Sequence, residues 1–259
     1  MPRHLDLDAL LAQCRSGRGA IVVVEGERDE DDAWFYNRWF AVLGPQVTFH
    51  PQNGHLRVEA AVQHLRDALP HRRVFGLVDQ DHRGLGGDLK LPDGVSAITR
   101  FTLENYLLDP EGWSQVIALE RRSSAAGLRE EVERAIEQSL RAAVPTAVYN
   151  QVLFQSGLGA RLLTNIGALP RDPREELRQR PGGEALVARY EQGVRDLAEA
   201  SVERLHRHVS GKLVLPELDR RLGLRGRWNP LLGYYIQAYS EPPADLDAHI
   251  RGLLSLPRS

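Results

Sequence analysis

Cysteine is almost missing from this chain: Cys14 stands alone among 259 residues. Neither an intramolecular disulfide nor a cysteine-based zinc cluster can therefore form. Lysine is nearly as scarce, with only Lys90 and Lys212 among 33 basic residues. Arginine is the general cation here, and its abundance does not count as a sign of nucleic acid. No apolar run reaches the roughly 18 residues that a membrane span needs. The opening stretch "MPRHLDLDALLAQCRSGRG" lacks the continuous apolar segment and small-residue cleavage site of a secretion signal. The expectation is a cytoplasmic protein without membrane contact. Internal repeats and low-complexity tails are also missing.

What is present is the composition of a globular protein, 42% hydrophobic and 26% charged, with length for one large domain or two modest ones. Charge is uneven along the chain. Residues 1–112 carry 12 Lys/Arg and 17 Asp/Glu, while residues 113–259 carry 21 and 18. An acidic first part beside a mildly basic second suits a metal-binding domain joined to a module that meets a polyanion.

Strand and helix patterns alternate over the first 110 residues. Ala20–Val24 reads as a strand buried on both faces. A helix over Asp29–Leu43 follows, with Trp34, Phe35, Trp39 and Phe40 at helical spacing as core, and Gly44-Pro45 stops it. Val47–His50 is a second strand and Gln52–Gly54 a turn. A helix over His55–Leu69 places Leu56, Ala60, Val62, Leu65 and Leu69 on one face. Arg73–Val78 and Val95–Phe101 are the third and fourth strands. This order predicts an α/β fold: a mainly parallel, Rossmann-like sheet with helices on both faces. Beyond about Pro110 the patterns are helical, over Ser124–Ala143, Glu184–His208 and Lys212–Leu222, and Leu169–Gly183 reads as an exposed connection around a short helix. The expected domains are an α/β domain over 1–112 and a mainly helical domain over 113–259.

The first strand runs into six acids within eight positions, Glu25, Glu27, Asp29, Glu30, Asp31 and Asp32. Ligand sites of open parallel sheets lie beyond the carboxyl ends of the strands. Glu25 stands there after strand one, Asn53 and Gly54 after strand two, Asp79 and Asp81 after strand three, and Glu104 shortly after strand four. Carboxylates gathered at one edge repel each other unless a cation neutralises them. Mg²⁺, which takes oxygen ligands from one or two carboxylates and completes its shell with water and phosphate oxygens, is the natural partner. Other readings stand beside this one. Glu30, Asp31 and Asp32 serve a helix N-terminus through its dipole, and Asp29 is either helix cap or metal ligand. Glu104 also reads as a first-turn acid of "TLENYLL", Asn53 as a turn residue, and His82 as a solvent-facing loop histidine. Lys212 can reach a phosphate from a helix start or lie on the surface. In "RRLGLRGRW", Arg225 and Arg227 read either as phosphate contacts or as part of the cationic end of a helix.

The segments "VVVEGERD" (Val22–Asp29) and "FGLVDQDHRG" (Phe75–Gly84), with Glu25 and Asp79 54 positions apart in the sequence, resemble the Toprim domain. That domain is shared by topoisomerases, bacterial primases and overcoming-lysogenization-defect nucleases. More narrowly, "VEGERDEDDAWFY", "GLVDQDHRG", "LENYLL" (Leu103–Leu108) and, more weakly, "HVSGKLVLPEL" (His208–Leu218) resemble the domain of unknown function 4435 family. That family includes the nuclease partner of an ABC-type ATPase in the PARIS anti-phage system. The Toprim resemblance covers about residues 18–110 and implies a Mg²⁺- or Mn²⁺-dependent nuclease. Asp79 and Asp81 are then metal ligands, Glu25 is general acid/base or metal ligand, and Asp29 and Glu104 are further ligands. Gly26 lets the backbone approach a phosphate. The partners implied are DNA or RNA and an ABC-type ATPase, and a homodimer is also expected. The large strand-passage domains of a topoisomerase and the zinc module of a primase have no counterpart here. Two other functions remain open: a non-catalytic Toprim-like module that binds nucleic acid or an ATPase, and a different Asp-x-Asp enzyme such as a phosphatase or nucleotide-sugar transferase.

Overall fold

A computed structural model describes residues 7–26, 32–84, 90–122, 124–158, 162–224 and 241–255. Asp29, Arg225 and Arg227 lie outside these residues. Within them the chain forms two compact units, one drawn from residues 1–80, 87–99 and 240–259, the other from 81–86 and 100–239.

The first unit is built around β1 (Ala20–Glu25), whose Ile21, Val22, Val23 and Val24 are each 0% exposed. A strand made of consecutive β-branched residues has no face to offer water, so it takes the centre of a sheet covered on both sides. β2 (Val47–Gln52) pairs with one edge of β1 and β3 (Val74–Val78) with the other, while β4 (Val95–Ala97) lies beyond β3. The order is β2-β1-β3-β4, and every pairing is parallel. This is the expected α/β fold with a parallel, Rossmann-like sheet. Helices α1 (Leu7–Arg15) and α3 (His55–Ala68) share a core with Ile21, Val23, Val74 and Val78. Gly76 belongs to this face, where a Cβ would stand 2.9 Å from Val62 Cγ2. On the other face, helix α2 (Asp32–Trp39) stacks Tyr36 on Phe49 of β2 with ring centroids 5.3 Å apart.

Two side-chain expectations are corrected. The buried face of α3 is Val58, Ala61, Val62 and Leu65, while Leu56 and Ala60 are exposed. The observed set keeps the i, i+3, i+4, i+7 stripe that seats a helix on a sheet. In α2, Tyr36 and Trp39 are buried, whereas Trp34 is 38% exposed.

Among its described residues the second unit forms helices and turns but no strand. After a single turn α4 (Asp81–Gly84) and a 3₁₀ turn Leu103–Leu107 come α5 (Pro110–Arg121) and the 28-residue α6 (Leu128–Gln155). Then follow α7 (Pro173–Arg178), α8 (Gly183–Ala198), α9 (Val202–His206) and α10 (Gly211–Leu222). α6 packs against α5, α8 and α10. The single helix expected over Glu184–His208 is two, because Ser201 begins a new one, its Oγ accepting the N–H of Arg204. Chain order closes with α11 (Ala244–Leu253), which belongs to the first unit; there Ser96 Oγ and His249 Nε2 are 2.8 Å apart. Arginines act as ties within both units. Arg72 donates to the carbonyls of Cys14 and Gly19, Arg66 to those of Val74 and Asp93, and Arg141 to that of Ala198. Among the described residues no helix is long and apolar enough to cross a membrane.

One buried residue joins two distant stretches of the second unit. Asn105, 0% exposed, accepts the N–H of Thr102 at 3.0 Å and of Gly211 at 2.9 Å, and donates to the carbonyl of Val209 at 2.8 Å. Gly211 is in turn so close that a Cβ would stand 2.6 Å from the backbone of Glu104 and Asn105. Asn105→Ala strands three buried backbone groups and is expected to lower unfolding stability by about 3 kcal/mol or more, at about 1–3 for each unsatisfied group. Urea denaturation measures this; Gly211→Ala is expected to be destabilising by steric displacement of the same backbone.

Candidate functional site

Glu25 is the last residue of β1, and Gly26 turns the chain away with φ 129°, a conformation that side chains rarely allow. Asp79 is the first residue beyond β3 and is 9% exposed. Because β1 and β3 are parallel neighbours, their carboxyl ends lie side by side, and the backbone N–H of Asp79 donates to Glu25 Oε1 at 3.1 Å. From β1 the chain moves to β2 on one side and later to β3 on the other. The crevice between the ends of β1 and β3 is therefore the topological switch point where open α/β sheets bind ligands. Asn53 lies exposed in the turn after β2, next to Gln52, the residue in register with Glu25.

The second unit begins at Asp81. Its φ of 39° is unusual for a residue with a side chain, although Asp tolerates this region better than most. Its N–H donates to the carbonyl of Phe101 at 2.9 Å. Glu104 and Lys212 are brought together, with Nζ 3.5 Å from Oε1, while Glu104 Oε2 is buried without a hydrogen-bond partner among the described residues. Asp81 and Lys212 line one cavity of about 200 Å³.

No family model and no curated protein matches the chain. The chemistry of the site therefore rests on its own atoms. Among the described residues no group of three or more His, Cys, Asp and Glu is arranged to hold a metal ion. Glu25 and Asp79 nonetheless supply carboxylates from two adjoining strand ends. A magnesium ion asks for one or two carboxylates and fills its remaining positions with water or phosphate oxygens. Glu25 and Asp79 match that number of carboxylates.

The structure adds residues that the sequence reading passed over or set aside. Asn105 carried no signal beyond its place in "LENYLL". His82, read as a solvent-facing loop residue, is 7% exposed, which corrects that reading. Its ring meets Phe101 edge-on at 5.0 Å and lies tilted against Phe154 at 5.7 Å. Asn150 donates to the carbonyl of Leu163 and accepts its N–H, fastening that segment to α6.

Burial lowers the pKa of His82 from 6.5 to about 4, against the pull of Asp81 in the other direction. Between these values the unfolded chain binds the proton and the folded one does not, so stability falls as pH drops through the interval. The full contribution is about 3 kcal/mol, at about 1.4 kcal/mol per pH unit. His208 and His249, also lowered by burial, act in the same direction. Urea unfolding at pH 7 and pH 4.5 is expected to show a smaller acid loss for His82→Leu than for the wild type. Equal losses would place the imidazole in water.

Proposed function

We propose that this chain is a Mg²⁺- or Mn²⁺-dependent nuclease of Toprim type that hydrolyses phosphodiester bonds of DNA or RNA. The observation that carries the reading is the Glu25–Asp79 pair at the switch point, beside a glycine turn. Asp79 would hold a divalent ion together with Glu25, and such an ion would polarise the scissile phosphate and stabilise its developing charge. Glu25 is positioned by the Asp79 N–H and serves as general acid/base. Gly26 presents backbone without a side chain where a phosphate must come close.

The role in anti-phage defence beside an ABC-type ATPase rests on the resemblance of "VEGERDEDDAWFY", "GLVDQDHRG" and "LENYLL". The alternative is a non-catalytic module that binds nucleic acid or the ATPase.

The test is incubation of purified protein with plasmid, single-stranded DNA and tRNA in Mg²⁺ or Mn²⁺. Glu25→Gln and Asp79→Asn are each expected to reduce cleavage by about 100-fold or more, the scale of a lost general acid/base. Cleavage undiminished in both variants rejects the assignment. Titration calorimetry with Mn²⁺ separates the alternative, which predicts no heat of binding at the pair.

A further inference from the structure

The cavity of the second unit has chemistry that the phosphodiester site does not use. Aromatic rings of His82, Phe101 and Phe154 line it, and Leu213 and Ala147 extend the apolar wall. Phe154 is 44% exposed, unusual for a large apolar side chain, and brings its ring to the solvent side. Within this apolar lining, His82 Nδ1 is buried and has no hydrogen-bond partner among the described residues. Such an atom costs stability unless something pairs with it. A purely apolar ligand leaves it stranded, and a strongly hydrated one does not suit the walls. Lys212, its side chain 56% exposed and its Nζ 3.5 Å from Glu104 Oε1, adds a cationic group to a lining that also includes Asp81, and a ligand phosphate would share its ammonium with Glu104.

The volume, about 200 Å³, lies below the roughly 300–1,000 Å³ of pockets for drug-sized molecules. It admits one ring system. A flat ring attached to an anion answers these features: faces for the aromatic side chains, a polar edge beside the His82 ring, and a phosphate for Lys212. Stacking of bases on aromatic side chains is the usual means of holding unpaired nucleotides.

We infer that this cavity is a nucleobase pocket, seating one base of a single-stranded nucleic acid or of a free nucleotide. The inference deepens the nuclease reading and rests on it only for the polymer as the source of the base. As a substrate subsite it selects unpaired strands, because a base inside a duplex cannot enter a closed pocket without leaving its stack.

Equilibrium binding, without metal, uses nucleoside 5′-monophosphates, ribose 5-phosphate, a short single-stranded oligonucleotide, and the same oligonucleotide with abasic positions. Base-bearing probes are expected to bind at least about 10-fold more tightly than ribose 5-phosphate. Phe154→Ala is expected to weaken them by about 5- to 150-fold, the range of one lost stacking contact. Thr164→Trp, at an exposed position on the rim, narrows the entrance and is expected to weaken binding as well. Trp34→Ala, which removes an exposed ring from the first unit, is expected to leave binding unchanged. Loss of affinity in the abasic oligonucleotide assigns the base to a strand; tight monophosphates with no abasic effect assign it to a free nucleotide. Equal binding of ribose 5-phosphate, or base binding unaltered in both Phe154→Ala and Thr164→Trp, overturns the inference, as does failure of every base-bearing probe to bind. Binding of nucleoside monophosphates is read without metal and without cleavage, so an inactive enzyme and an empty pocket are separate outcomes.

Discussion

The first unit depends on β1 having no side that water can reach. Four consecutive aliphatic residues at 0% exposure require strands on both edges and helices on both faces. Once β1 is central, its carboxyl end is central too, and the first polar residue after the run stands in the middle of the sheet's edge. Glu25 is that residue. Its neighbour across the sheet is set by the β1–β3 register, in which Val24 pairs with Leu77, so Asp79 arrives two positions later. The carboxylate pair thus follows from the placement of the hydrophobic core.

Much of this was legible in the chain because burial and local geometry leave marks in sequence. A strand covered on both faces reads as an aliphatic run, and the sharp departure from it reads as Glu-Gly. The parallel sheet and the helical character after Pro110 follow from period and spacing. What was not legible depends on partners elsewhere in the chain. The apolar residues of α3 are compatible with two overlapping stripes, and the choice of Val58 and Ala61 over Leu56 and Ala60 is made by the sheet, where Gly76 admits the helix closely. Trp34 and Tyr36 lie two positions apart, and only Phe49 of β2 decides which of them is stacked and buried. His82 has an ordinary loop sequence on either side; its burial comes from Phe101 and Phe154, 19 and 72 positions further along.

The two units use polar groups in different ways. In the first, the polar pair stands at the end of strands, where the hydrogen-bonding ladder runs out and carboxylates can face a ligand. In the second, an amide does internal work: Asn105 satisfies backbone from segments more than a hundred positions apart. An amide suits this because it donates and accepts at once without carrying charge into the interior. The scarcity of lysine has a parallel meaning. Planar guanidinium groups such as those of Arg66 and Arg72 fasten several carbonyls each, a task for which a compact ammonium is less suited.

The return of α11 to the first unit bears on the order of synthesis. Leu246 and Ile250 are 0% exposed, so this helix is part of the unit's interior and not a trailing appendage. During translation, all of the second unit emerges before α11 does. A nascent chain can therefore complete its helical unit while the unit that carries Glu25 and Asp79 still lacks a buried element.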